Sequence, residues 1–266
     1  MGPLLKSEYR KFFSTRMWWV LLIIMVAYMG FMAGVMAFTF SPTALGGSGG
    51  SPMPGGDEAI IKTVYTLAAS MGYLFPALIG ILSLTGEFRH KTITVTFLGT
   101  PQRSKVLLAK LIGGVPMGLM YGLAGTFACV GIGAVVLAAT GGDPMLTSAV
   151  TWEIIGRSVL ALTLWLLVGV GIGALIPNQV AAIVTLLAFT QFIEPIARLG
   201  LPAVSWGEDV AKFLPGAAGD AVAGGSFYSL MGTSLLPMWG GVALLLGYAA
   251  VFSIIGRFTT LSRDIS

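Results

Sequence analysis

Charged residues make up only 10% of this 266-residue chain, against about 25% in an ordinary soluble domain. Too few remain to cover a water-facing surface of this size. Cysteine is nearly absent as well: Cys129 stands alone, so no internal disulfide can form and a secreted disulfide scaffold is excluded. His90 is the sole histidine. It falls outside every long apolar run, which removes serine–histidine and metal–histidine chemistry from those runs. No glycine is followed by lysine anywhere in the chain, so it has no Walker A phosphate loop. Intrinsic disorder fails too, because it needs low hydrophobicity and high charge, whereas 56% of these residues are hydrophobic.

What is present is a series of long uncharged stretches. A bilayer-spanning helix needs about 20 mostly apolar residues. Reading between charges predicts six spans, at about 17–40, 60–84, 111–140, 154–176, 180–199 and 235–256. The fourth and fifth come from one overlong run broken by Pro177-Asn178-Gln179. The first run exceeds the core of a signal peptide and is expected to remain as a membrane helix. The whole chain, 1–266, reads as a single all-α, polytopic membrane domain.

Six crossings put both termini on one side, and the basic residues choose which. Eleven of the fifteen, among them Lys6, Arg10, Lys11, Arg16, Arg89, Lys91 and Lys110, fall on one face; most of the acids fall on the other. The positive-inside rule makes the basic face, with both termini, cytoplasmic. Residues 3–15 place Leu5, Tyr9, Phe12 and Phe13 on one helical face and Lys6, Arg10 and Lys11 elsewhere. That pattern suits an amphipathic helix in the headgroup region, or a simple basic flank. Residues 41–56, rich in Gly, Ser and Pro, read as a flexible extracytoplasmic loop.

The one sizeable cytoplasmic loop is 86–105. Thr92-Ile93-Thr94-Val95-Thr96 alternates like a strand, but an isolated strand has no sheet to join and a short helix is an equal reading. Gly99 would end that helix, Thr100 cap the next, and Pro101 sit in its first turn. Residues 199–235 are too apolar for a loose loop and too short for two spans, which suggests short re-entrant helices broken at Pro202, Pro215 and Gly224-Gly225. The basic patches lack interleaved aromatics for base stacking, so no nucleic-acid partner is expected. Within the spans only Glu194 is acidic. Arg198, four residues on, offers a structural pair; a gating or substrate-contacting role is the alternative. Cys129 reads as a small apolar packer, and Gly169-x-Gly171-x-Gly173 as a close helix contact.

The run Gly86-Glu87-Phe88-Arg89-His90-Lys91-Thr92-Ile93, followed by Pro101-Gln102-Arg103-Ser104-Lys105-Val106-Leu107-Leu108-Ala109-Lys110, resembles bacterial ABC-2-type transporter permeases. Size and six-span layout agree over the whole chain. Specific wording is confined to this loop, the N-terminal Leu-Lys-Ser-Glu-Tyr-Arg-Lys stretch and the Glu194-Pro195 step. The resemblance implies the membrane subunit of an ATP-binding-cassette exporter in the bacterial plasma membrane, not itself an enzyme. It implies a second permease copy or a related permease, two separate ATPase subunits that hold the ATP and Mg, surrounding lipid, and no cofactor on this chain. Glu87, Phe88, Arg89, His90 and Lys91 would then belong to a coupling helix that docks on the ATPase. Tyr28, Tyr65, Tyr73, Phe75, Gln191 and Glu194 are candidates for facing a translocation pathway at the dimer interface, with plain packing as the alternative for each aromatic. The substrate would be amphiphilic: a lipid, drug, peptide or envelope precursor. A six-span channel or ion-coupled carrier acting alone is the competing reading.

Overall fold

The computed structural model describes residues 1–41, 56–204, 206–226 and 234–261. Most of the Gly/Ser/Pro loop and Arg263 lie outside them. Among the described residues the chain is all helical, with no strand. Five helical segments among the described residues are long and apolar enough to cross a membrane.

The N-terminal helix α1 (Gly2–Ser14) is followed by α2 (Met17–Thr39), the first apolar segment. The segment expected as one span over 60–84 is broken into three pieces, α3 (Gly56–Tyr65), α4 (Leu67–Ser70) and α5 (Leu74–Arg89). Pro76 explains the second break. Its ring would clash with the carbonyl four residues back, so a helix can begin just before it but not run through it. Gly72 sits in that break, where an added Cβ would come within 2.5 Å of the Ala68 carbonyl oxygen.

A short helix, α6 (Ile93–Gly99), leads into α7 (Arg103–Ala139), the longest helix described. The Thr-rich alternation is therefore helical. The capping differs from the expected pattern: Thr100 is extended and Gln102, not Thr100, is the N-cap of α7. Proline disfavours the helical region for the residue before it, and Thr100 precedes Pro101. Next come α8 (Ala149–Leu175), capped by the Ser148 hydroxyl, and α9 (Gln179–Ala188), capped by Asn178 Oδ1 accepting from the Ala181 amide at 3.1 Å. The turn at Pro177 thus lies where the sequence placed it. One π-helical turn (Phe189–Ile193) joins α9 to α10 (Glu194–Gly200). The short helices α11 (Gly207–Ala211) and α12 (Pro215–Ala223) precede α13 (Met238–Thr259).

Helix α8 is the most enclosed of the apolar segments and packs against α5, α7 and α13. Glycine makes these approaches possible. A Cβ on Gly169 would lie 2.1 Å from the Ala77 carbonyl oxygen, and one on Gly80 would lie 2.2 Å from that of Leu166. Backbones this close exclude even a methyl group, the small-residue packing that membrane helices use in place of hydrophobic drive. Meanwhile large apolar side chains such as Phe31, Val135, Val180 and Ile196 point outward. An outer surface of that kind is costly in water and suited to lipid.

Candidate functional site

The C-terminal end of α13 meets the start of α7 at one end of the bundle, where Arg257 Nε donates to Ser104 Oγ at 2.9 Å and Arg103 donates to the Leu261 carbonyl. This end also carries α1, the C-terminus of α5, and α6. At its centre lies a four-member charge cluster. Lys110, on α7, is 3% exposed and donates to Glu8 Oε2 (2.8 Å), to the Ser83 carbonyl (2.8 Å) and to Glu87 Oε1. Lys11, on α1, reaches Glu87 Oε1 at 3.0 Å, Glu8 Oε1 at 3.3 Å and Thr96 Oγ1 at 3.2 Å. Thr96 in turn donates to Glu87 Oε2 at 2.9 Å. Two carboxylates and two ammonium groups sum to zero, and one acid, Glu87, ties α1, α5, α6 and α7 together.

The electrostatics follow from that geometry. Burial by itself would raise the Glu87 pKa, but Lys110 and then Lys11 outweigh it, and the carboxyl is held below its ordinary value. For Lys11, burial pulls downward, yet the Glu8 and Glu87 carboxylates dominate and raise the ammonium above its usual value.

The five residues expected in a coupling helix divide accordingly. Glu87 is buried and locked in the cluster, so its side chain braces the elbow from inside. Phe88 is half-buried against the core. Arg89 and His90 are exposed, Arg89 within 3.3 Å of Gln179 Oε1. Lys91 adopts the left-handed region (φ 56°) that turns α5 into α6. On α6, Ile93 is buried as the anchor while Val95 and Leu98 stand out, 69% and 79% exposed. Phe97 carries the Arg103 guanidinium 5.1 Å above its ring, which fixes α6 to the start of α7.

The pathway candidates separate in the same way. Tyr65 is fully buried and donates to the Pro144 carbonyl at 2.8 Å, a packing role. Tyr28 and Phe75 lie near one another, their ring centroids 6.2 Å apart, with Tyr28 partly exposed. Tyr73 stacks on Trp165 at 4.3 Å and accepts a long contact from Gln191 Nε2 at 3.4 Å. Glu194 is 2% exposed and pairs with Arg198 (Nε to Oε1, 3.0 Å), while the Ala217 amide donates to the same oxygen at 3.0 Å. Arg198 also donates to Asp220 Oδ2 at 2.6 Å, and Asp220 accepts from Ser70 Oγ at 2.8 Å. This second cluster holds α4, α10 and α12 together at the end of the bundle opposite α6. The Glu194–Arg198 pair is observed; Asp220 is a third member that sequence reading missed.

No protein-family model matches the chain, and comparison with curated proteins gives no match.

Proposed function

We infer that this chain is the membrane-spanning subunit of an ATP-binding-cassette exporter. The observation that carries the reading is the α5–α6–α7 elbow. It presents a short helix with two exposed apolar side chains, Val95 and Leu98, beside exposed Arg89, His90 and Lys91. An exposed apolar pair rimmed by polar and basic residues is the composition of a docking knob. Behind it, the buried Glu87 cluster fastens the knob to α1 and α7, so a push on α6 would be passed to those helices. Such rigid transmission is what a separate motor subunit requires.

In this reading the broken α3–α5 segment completes six crossings, and α10 to α12 form re-entrant helices on the extracytoplasmic side. The basic end faces the cytoplasm of a bacterial plasma membrane. Two copies, or this chain and a related permease, would pair with two ATPase subunits that carry ATP and Mg. Tyr28, Phe75, Gln191 and the Tyr73 edge would border the route taken by an amphiphilic substrate. The sequence supports the division of labour, since it has no Walker A motif of its own.

The test is co-expression of the tagged chain with its ATP-binding-cassette partner. The double substitution Val95→Ser/Leu98→Ser should keep the chain folded, since both side chains are exposed, and should abolish recovery of the ATPase and stimulation of its hydrolysis. Undiminished recovery and stimulation would refute the assignment. A channel or ion-coupled carrier acting alone gains support from one feature, the buried Glu194–Arg198–Asp220 group. Flux through the purified chain in liposomes without any ATPase would decide for that reading.

A further inference from the structure

Between α1, α5, α7 and α8, at the end of the bundle that carries α6, lies a cavity of about 610 Å³. That volume is in the range of sites that enclose small molecules, about 300–1,000 Å³. Its chemistry is graded. The inner wall is apolar and buried, made by Ile79, Met117, Leu166 and Val170. The outer wall holds the exposed Arg89 and His90 and the half-buried ring of Trp18. Glu8, Glu87, Lys11 and Lys110 also line it, but they neutralise one another in the cluster already described. The uncompensated charge at the opening is therefore positive, and the bottom is oil-like.

We propose that this cavity holds one acyl chain of an anionic glycerophospholipid, its phosphate at Arg89 and His90 and its chain along Ile79, Met117, Leu166 and Val170. A cationic mouth over an apolar slot fits an anionic amphiphile and disfavours both a bare polar anion and a neutral oil. The position suits it: Trp18, an interfacial residue type, stands at the mouth, and basic groups at a membrane surface select anionic headgroups. The lipid would wedge between α1 and α5, the two elements that Glu87 joins, and so steady the elbow. This site requires only that the chain resides in a bilayer; it does not depend on the ATPase partner, and its test includes none.

Native mass spectrometry of the purified chain in detergent, titrated with phosphatidylglycerol or phosphatidylcholine of identical acyl chains, reads the site. One phosphatidylglycerol should be retained at about tenfold lower concentration than phosphatidylcholine. Arg89→Gln/His90→Gln, both at exposed positions, should erase that preference while leaving phosphatidylcholine retention in place. Gly86→Leu should displace both lipids, because Gly86 lines the cavity and a Cβ there meets nothing within 4 Å. As a readout independent of that substitution, a phosphatidylglycerol brominated on its acyl chain should quench the fluorescence contributed by Trp18, taken as the difference from Trp18→Phe. A preference unchanged in Arg89→Gln/His90→Gln, absent quenching of Trp18, or retention in folded Gly86→Leu equal to wild type would overturn the proposal. Competition by glycerol 3-phosphate, which has no chain, would overturn it as well and identify a phosphate site alone.

Discussion

Lys110→Met removes the buried ammonium at the centre of the elbow and leaves Glu8 and Glu87 facing only Lys11. The Lys110 side chain is fully enclosed, and those of Glu8 and Glu87 are 9% and 7% exposed. Breaking a pair so buried costs about 3–5 kcal/mol, chiefly because a carboxylate is left without its partner. Lys11 already contacts both acids, which places the expected loss near the lower figure, about 3 kcal/mol. A second substitution separates this cause from lost packing. Glu87→Gln/Lys110→Met leaves one acid, Glu8, with one base, Lys11, so the cluster is again neutral. The double variant should therefore be more stable than the sum of the two single losses implies, with a coupling energy of about 1–3 kcal/mol. Unfolding of the purified chain in mixed micelles, followed by circular dichroism across the four proteins of the cycle, measures it. Additive losses, or a Lys110→Met chain as stable as wild type, would refute the claim that these charges form one unit.

Other consequences follow from the same contacts. Because Glu87 is held below its ordinary pKa of 4.5, its contribution is complete above that pH and is lost as pH falls through the lower folded value. The stability gap between wild type and Glu87→Gln should thus be flat from pH 7 to about 4.5 and shrink only below it, as thermal melts at several pH values would show. Lys11 works oppositely: raised above 10.5, its contribution is full below that pH and lost on going higher. At the opposite end, Arg198→Gln leaves Glu194 and Asp220 buried together and should cost about 3–5 kcal/mol. Adding Asp220→Asn should recover part of that loss in the same unfolding assay. Gly169→Leu would drive a side chain into the Ala77 backbone; separation of α5 from α8 should lower stability by about 1–3 kcal/mol or more, measured by the same titration.

The extent to which these features were legible in the sequence differs by residue. Long apolar runs fixed the elements, since only lipid or burial tolerates them, and Pro177-Asn178 announced its own turn. Pro76 signalled the break in the second segment as plainly, yet hydropathy alone ran straight through it. Glu194 and Arg198 were readable as a pair because helical spacing is local. Asp220, 22 residues beyond Arg198, was not, because only the folding of α12 back toward α4 and α10 brings it there. The Glu8 position carried a usable sign: it lies three residues after Leu5 and four before Phe12, in the middle of the apolar face of α1. An acid at that place needs a buried base, and Lys110, at the start of an apolar run, was the available one. Glu87 could be assigned to the loop, but its burial in the cluster could not be read, because spacing cannot tell an outward side chain from one turned inward.

The most direct test of the ATPase-coupling reading places a single new thiol on α6. With Cys129, which is buried, replaced by alanine, Leu98→Cys gives one thiol at the tip of α6. In inverted membrane vesicles containing the ATPase, a short bifunctional reagent should cross-link that position to the ATPase, with a yield that changes on adding ATP and Mg. A complex that hydrolyses ATP and transports while Leu98→Cys forms no such cross-link, or reacts only from the opposite face of the membrane, would contradict it.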